Sequence, residues 1–284
     1  MAAVRVKPKT FEKRYKARAK ALADLASTLP DRPSPDEIHD LRVTIRRIQI
    51  MRRLLPRTIR MSQTSKHYDL VLKSVLKTTS QLRDLDTLVD TLEHQGNLPA
   101  DLLVTLQNQR SDAAARAKAA TELLSDAPTP ELDPSVLGKK QLSRRLGRVL
   151  RKRSRVAVDL LNQVVRDESK VEELHSLRKE VKKLRYFMEL MDDGEPELPI
   201  LTKWQEALGA VHDFDITVSY LQGQGTEVTP KVVRDLQLAR HRSYLKFVAE
   251  CKSDFMEVLE DSNLLGRDNA SRSRAPLQHD PRVD

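Results

Sequence analysis

His39, Arg42, Arg46 and Arg53 recur at helical spacing in IHDLRVTIRRIQIMRRLL, residues 38–55. His175, Arg178, Lys182 and Arg185 do the same in LHSLRKEVKKLRYFMELM, residues 174–191. At about 100° per residue each set falls within one narrow stripe. Leu41, Ile45, Ile48 and Leu55 lie nearly opposite the first stripe, and Leu177, Val181, Leu184, Met188 and Met191 lie opposite the second. A solvated helix face ordinarily mixes signs at i,i+4, because like charges there repel. Arg42 with Arg46 and Arg178 with Lys182 are like-charged pairs, so these faces suit an anion. Guanidinium groups offer phosphate planar, bidentate contacts, and lysine adds a point charge.

Each histidine opens its stripe close to a predicted helix start, where burial, the helix dipole and neighbouring arginines disfavour protonation. A bound phosphate would reverse that balance and let the ring donate two hydrogen bonds. A third basic stripe, Lys140, Arg144, Arg148, Arg151 and Arg155, runs through GKKQLSRRLGRVLRKRSR, and Arg14 with Arg18 form a smaller one. Several such stripes converging would make a polyanion channel. Asp84, Asp86, Asp213 and Asp215 are expected to form ion pairs that orient the arginines, rather than to act as metal ligands or bases. His39-Asp40 and His212-Asp213 also read as the dyads of a metal-dependent phosphohydrolase. Such a site needs further ligands, and His67, His94 and His241 have no suitable spacing. No metal and no cofactor is expected.

These side chains must be positioned by helices. The chain has 14 prolines and 8 glycines, and most of the prolines fall between long runs of Leu, Ala, Arg, Lys, Glu and Gln. Proline costs about 3 kcal/mol inside a helix, so its positions mark helix ends. The pattern predicts helices over 10–28, 36–55, 62–94, 99–124, 135–166, 170–191, 199–222 and 230–260, hence an all-α fold. Ser34 with Glu37 and Ser169 with Glu172 match capping boxes, and Asp133-Pro134 and Thr229-Pro230 place a cap before proline. DAPTPELDP, residues 126–134, is the best boundary between two units, 1–126 and 134–262. Residues 263–284 lack a periodic apolar face and read as a disordered tail.

With 50 Lys and Arg against 41 Asp and Glu, the net charge is +9, which points to an anionic partner. The single cysteine, Cys251, excludes an internal disulfide framework, and no apolar run approaches the roughly 20 residues that span a bilayer. MAAVRVKPKT lacks the apolar centre of a signal peptide, so the cytoplasm is the expected compartment. The segment starting at His39 aligns with that starting at His175, and LRDLD at 82–86 is echoed by VHDFD at 211–215, which marks an internal duplication.

The paired histidine segments, together with RDLD at 83–86 and LGAVHDFD at 208–215, resemble the CHAD family of conserved-histidine α-helical domains over about residues 10–260. The resemblance implies two pseudosymmetric four-helix bundles around a central basic cavity. It further implies binding of inorganic polyphosphate, association with cytoplasmic polyphosphate granules and no catalysis. Carried over by position, the binding residues would be His39, Arg42, Arg46 and Arg47, with His175, Arg178, Lys182, Lys183 and Arg185, and Tyr186 fits the family's arginine-tyrosine pair. Arg53, Lys140, Arg144, Arg148 and Lys179 complete the candidate set. Two departures suggest unequal halves: Gln49 stands where the first copy could carry another arginine, and Lys182-Lys183 replaces an arginine pair. Many relatives carry an N-terminal triphosphate-processing domain, for which the short leader here is expected to leave no room. Nucleic acid stands second as a partner, since single-strand binders usually stack bases on aromatics and aromatics are only 4% of this chain.

Overall fold

The computed structural model describes residues 4–94, 99–191, 198–223 and 230–260, and every regular element among them is helical. In chain order they are α1 (Pro8–Ser27), α2 (Pro35–Leu54), α3 (Arg57–Arg60), α4 (Gln63–His94), α5 (Ala100–Asp126), α6 (Lys139–Val164), α7 (Val171–Met188), α8 (Leu198–Gly223) and α9 (Pro230–Glu260). None of them is long and apolar enough to cross a membrane.

Each long helix turns a 3.6-residue stripe inward, whereas the four-residue α3 buries none of its side chains. On α1 the buried residues are Phe11, Tyr15, Ala19, Leu22 and Ala26, and on α2 the aliphatic ones include Ile38, Leu41, Ile45, Ile48 and Met51. Burying each large aliphatic contributes about 1.5–3 kcal/mol, which holds α2 in place while its opposite face carries charge. The same order of neighbours runs through both parts of the chain: α1 beside α2, α2 beside α4 and α4 beside α5, then α6 beside α7, α7 beside α8 and α8 beside α9. The two series meet where α2 touches α7 and α4 touches α8.

Residue chemistry accounts for the helix limits. Ser34 and Glu37 form the capping box of α2, with the Glu37 amide donating to Ser34 Oγ at 3.2 Å and the Ser34 amide donating to Glu37 Oε2 at 2.7 Å. The expected box at Ser169 and Glu172 does not form. The Ser169 amide and hydroxyl donate instead to Asp167 Oδ1, at 3.0 and 2.6 Å, a local turn that holds the chain non-helical until Val171. Asp133 accepts from the Ser135 amide at 2.8 Å, but the helix it starts is a single 3-10 turn, Pro134–Val136, and α6 begins later than expected, at Lys139. The cap expected at Thr229 and the tail 263–284 lie outside the described residues.

Two matching clamps fix the starts of α2 and α7. Asp86 on α4 accepts from Arg110 Nε of α5 at 2.7 Å, and Arg110 Nη2 donates to the Pro33 carbonyl, just ahead of α2, at 2.6 Å. Asp215 on α8 accepts from Arg240 Nε of α9 at 2.5 Å, and Arg240 Nη1 reaches Glu168, just ahead of α7, at 2.6 Å. The N-terminal segment also crosses to the later helices: the Val6 amide donates to Ser143 Oγ on α6 at 3.2 Å, and Arg14 Nη1 donates to the Leu190 carbonyl after α7 at 2.8 Å.

Candidate anion-binding site

Where α2, α4, α7 and α8 meet, they enclose a cleft of about 590 Å³. α2 contributes His39, Arg42 and Arg46, α7 contributes His175, Arg178, Lys179 and Lys182, α4 contributes Arg83 and Asp84, and α8 contributes His212 and Asp213. Six cationic side chains therefore face two carboxylates, with three imidazoles among them.

The surroundings alter most of these groups. Burial, followed by Arg46 and Arg178, pushes the Lys182 ammonium down to about 7. Arg42, only 6% exposed, is drawn down to about 10, by burial and then by Arg46. Its guanidinium is anchored to α4: Nη1 donates to the Leu76 carbonyl at 2.9 Å and to Thr79 Oγ1 at 2.8 Å, and Nη2 donates to Ser80 Oγ at 3.2 Å. Burial raises Asp84 and Asp213 above the usual carboxylate range despite Arg42 and Arg178 nearby. The two carboxylates soften the cationic field without neutralising it.

The histidines are held neutral. Burial lowers His39, with Arg83 and Lys182 adding to the effect, and it lowers His175, with Lys179 and Arg178 adding. His212 falls furthest, to about 3, through burial, Arg178 and His175. His175 Nδ1 and His212 Nδ1 stand 3.1 Å apart. A neutral ring carries one N–H, so one of these nitrogens donates and the other accepts, and the accepting ring keeps its proton on Nε2. An anion in the cleft would favour protonation of these rings, since an opposite charge within reach stabilises the charged form.

A smaller lobe of about 200 Å³ opens alongside, lined by Gln49 and Arg53 of α2 and by Lys183 and Tyr186 of α7, and it shares Arg46, Arg178, Lys179 and Lys182 with the cleft. Tyr186 is 2% exposed, and its hydroxyl has no hydrogen-bond partner among the described residues. Arg185 and Arg47 lie over its ring, at 4.8 and 5.8 Å from the centroid.

The expected stripes are thus brought together in part. His39, Arg42, Arg46, His175, Arg178, Lys179 and Lys182 share the cleft, and Arg53, Lys183 and Tyr186 line its lobe. Arg47 and Arg185 turn instead to Glu189, at 3.0 and 3.3 Å, where Arg18 also arrives at 3.8 Å. Lys183 is held by Glu180 at 2.6 Å, which also pairs with Arg153 at 2.9 Å. Lys140, Arg144, Arg148, Arg151 and Arg155 are exposed on α6 and line neither cleft nor lobe. Of the four aspartates expected to form ion pairs, Asp86 and Asp215 do so, in the clamps, whereas Asp84 and Asp213 face the cleft with no ion pair within 4 Å among the described residues. Arg83 and His212 belong to the cleft although neither lies on a basic stripe. The signal that points to them is the echo of LRDLD in VHDFD, which places both on the repeated segment that follows each histidine stripe.

A family model described as CHAD domain matches residues 15–222. The crystal structure of the CHAD domain from the plant Ricinus communis superposes with a TM-score of 0.56 at 14% sequence identity, over 93% of this chain and 92% of that one, a likeness of fold. No curated protein matches the chain.

Proposed function

Because this chain belongs to the CHAD domain family, we propose that it is a non-catalytic binding protein for inorganic polyphosphate, held along the basic faces of α2 and α7. The observation that carries this reading is the convergence of six basic side chains and three neutral imidazoles, from four helices, on one cleft with only two carboxylates. Such a site suits a chain of closely spaced negative charges that arginine can grip bidentately. The paired clamps Asp86–Arg110 and Asp215–Arg240, with the repeated order of neighbours, support a duplicated architecture of two pseudosymmetric four-helix units around this basic cavity. Binding of this kind would bring the protein to cytoplasmic polyphosphate granules, or organise them.

The alternative reading as a metal-dependent phosphohydrolase needs more ligands than a histidine-aspartate dyad. Among the described residues no group of three or more His, Cys, Asp or Glu side chains is placed to hold a metal ion. Single-strand binders usually stack bases on aromatics besides gripping phosphates, and among the described residues no tyrosine, phenylalanine or tryptophan lines the cleft, Tyr186 alone lining its lobe. Competition between long-chain polyphosphate and a single-stranded oligonucleotide at fixed salt tests the proposal. Polyphosphate should displace the oligonucleotide, and replacing Arg46, Arg178 and Lys182 by alanine should abolish binding while the helical circular dichroism is kept. Preference for the oligonucleotide, or retained affinity in that variant, refutes it.

A further inference from the structure

We propose that the cleft is one end of a longer anion track, which continues along α2 to a second arginine cluster beside α3 and α6 and lets the protein favour long phosphate chains over short ones. The inference rests on the polyphosphate reading above and extends it to chain length.

Beyond the lobe lies a separate pocket of about 270 Å³, lined by Arg53, Arg57, Arg60, Arg145 and Arg148 and by no carboxylate. Arg53 lines this pocket and the lobe alike, so one side chain borders both, and the lobe in turn shares Arg46, Arg178, Lys179 and Lys182 with the cleft. Arg46 and Arg53 are two helical turns apart, about 10 Å along α2.

The pocket is lined by no carboxylate, and Glu180, which acts on Arg53 through space, is already paired with Arg153 and Lys183. The guanidinium groups of Arg53, Arg57, Arg60 and Arg148 make no hydrogen bond to, and no ion pair with, any described residue, and Arg60 Nε is buried without a partner. A buried donor left unpaired is costly. That penalty would be relieved by an acceptor-rich anion lying in the pocket. Arg145 instead braces the fold, since its Nη1 donates to the Leu54 carbonyl at 3.1 Å and so fixes α6 against the end of α2. Arginine supplies the whole cluster, the side chain suited to bidentate phosphate contacts.

A tripolyphosphate would be accommodated by the cleft and its lobe, whereas a long chain would reach the cluster too. The test compares both ligands with the full-length protein and with the double variant Arg57→Gln/Arg60→Gln. Removing two phosphate contacts should lower long-chain affinity about tenfold at low salt and reduce the steepness of its log–log salt dependence by about 2. Tripolyphosphate affinity should stay unchanged, which also shows that the variant is folded. Equal loss for both ligands, or no loss for either, overturns the track while leaving the cleft intact as a site. A wild-type protein that binds neither ligand overturns the polyphosphate reading as well.

Discussion

Lys182 sits among Arg46, Arg178, Arg185 and Arg42, and its ammonium is pushed down to about 7 from an ordinary 10.5. An anion seated in the cleft restores the charge, so binding above pH 7 takes up protons. Calorimetric titration near pH 8 in buffers of different ionisation enthalpy should register that uptake, and Lys182→Met should remove most of it. The same shift has a consequence for folding. Below pH 7 the lysine is charged in both folded and unfolded chains, and the folded one carries the full penalty. Between pH 7 and 10.5 the unfolded chain binds the extra proton and stability rises with pH. Lys182→Met should therefore stabilise the free protein most below pH 7, with a gain that shrinks toward pH 10.5, and denaturant titrations across that range check it. Sequence spacing reveals that such a residue lies on a basic stripe, but not its isolation from water. Arg52 and Arg53 show the limit: Arg52, 2% exposed, is fixed by Asp69 at 2.6 Å, while its neighbour faces outward, and only the packed helices separate them. Arg47 is drawn away from the cleft in the same manner, by Glu189, a carboxylate 142 positions further along the chain.

At the scale of helices, the clamps do what the capping boxes do only in part. Arg110 ties α4 and α5 to the segment before α2, and Arg240 ties α8 and α9 to the segment before α7. Removing one partner of a buried pair leaves an uncompensated charge and costs about 3 kcal/mol. Arg110→Ala should therefore lower the melting temperature by about 8 °C, and Arg240→Ala should do likewise. Each should also weaken polyphosphate binding, because His39 and His175 lie within two turns of the helix starts that the clamps hold. Unchanged melting in both variants would show that the clamps are idle. Helix positions are readable from sequence because proline and local capping act within a few residues, as at Ser34 and Glu37. The start of α7 is harder to read because Asp167 competes for Ser169. The direction in which the basic stripe of α6 faces depends on α7 and α2, and periodicity carries no information about it.

For the molecule as a whole, the net charge of +9 is less telling than its placement. The six basic side chains of the cleft should alone give long-chain polyphosphate a log–log slope of about −4 against salt, a loss of several hundredfold between 50 and 200 mM, and the arginine cluster beyond the lobe should steepen it further. Titrations followed by fluorescence anisotropy at a series of salt concentrations measure that slope, and a nearly flat dependence would place the ligand elsewhere. The early helices do not stand alone, however, because the chain's first residues reach the later ones: Val6 bonds to Ser143 and Arg14 to the carbonyl of Leu190. A polypeptide threaded in this way behaves like a parcel whose string begins on one piece and is tied on the other. Cutting the connector between α5 and α6 should leave two fragments that remain together through size-exclusion chromatography and melt as one, so the protein lends itself to being made in two separately expressed parts that reassemble only in each other's presence.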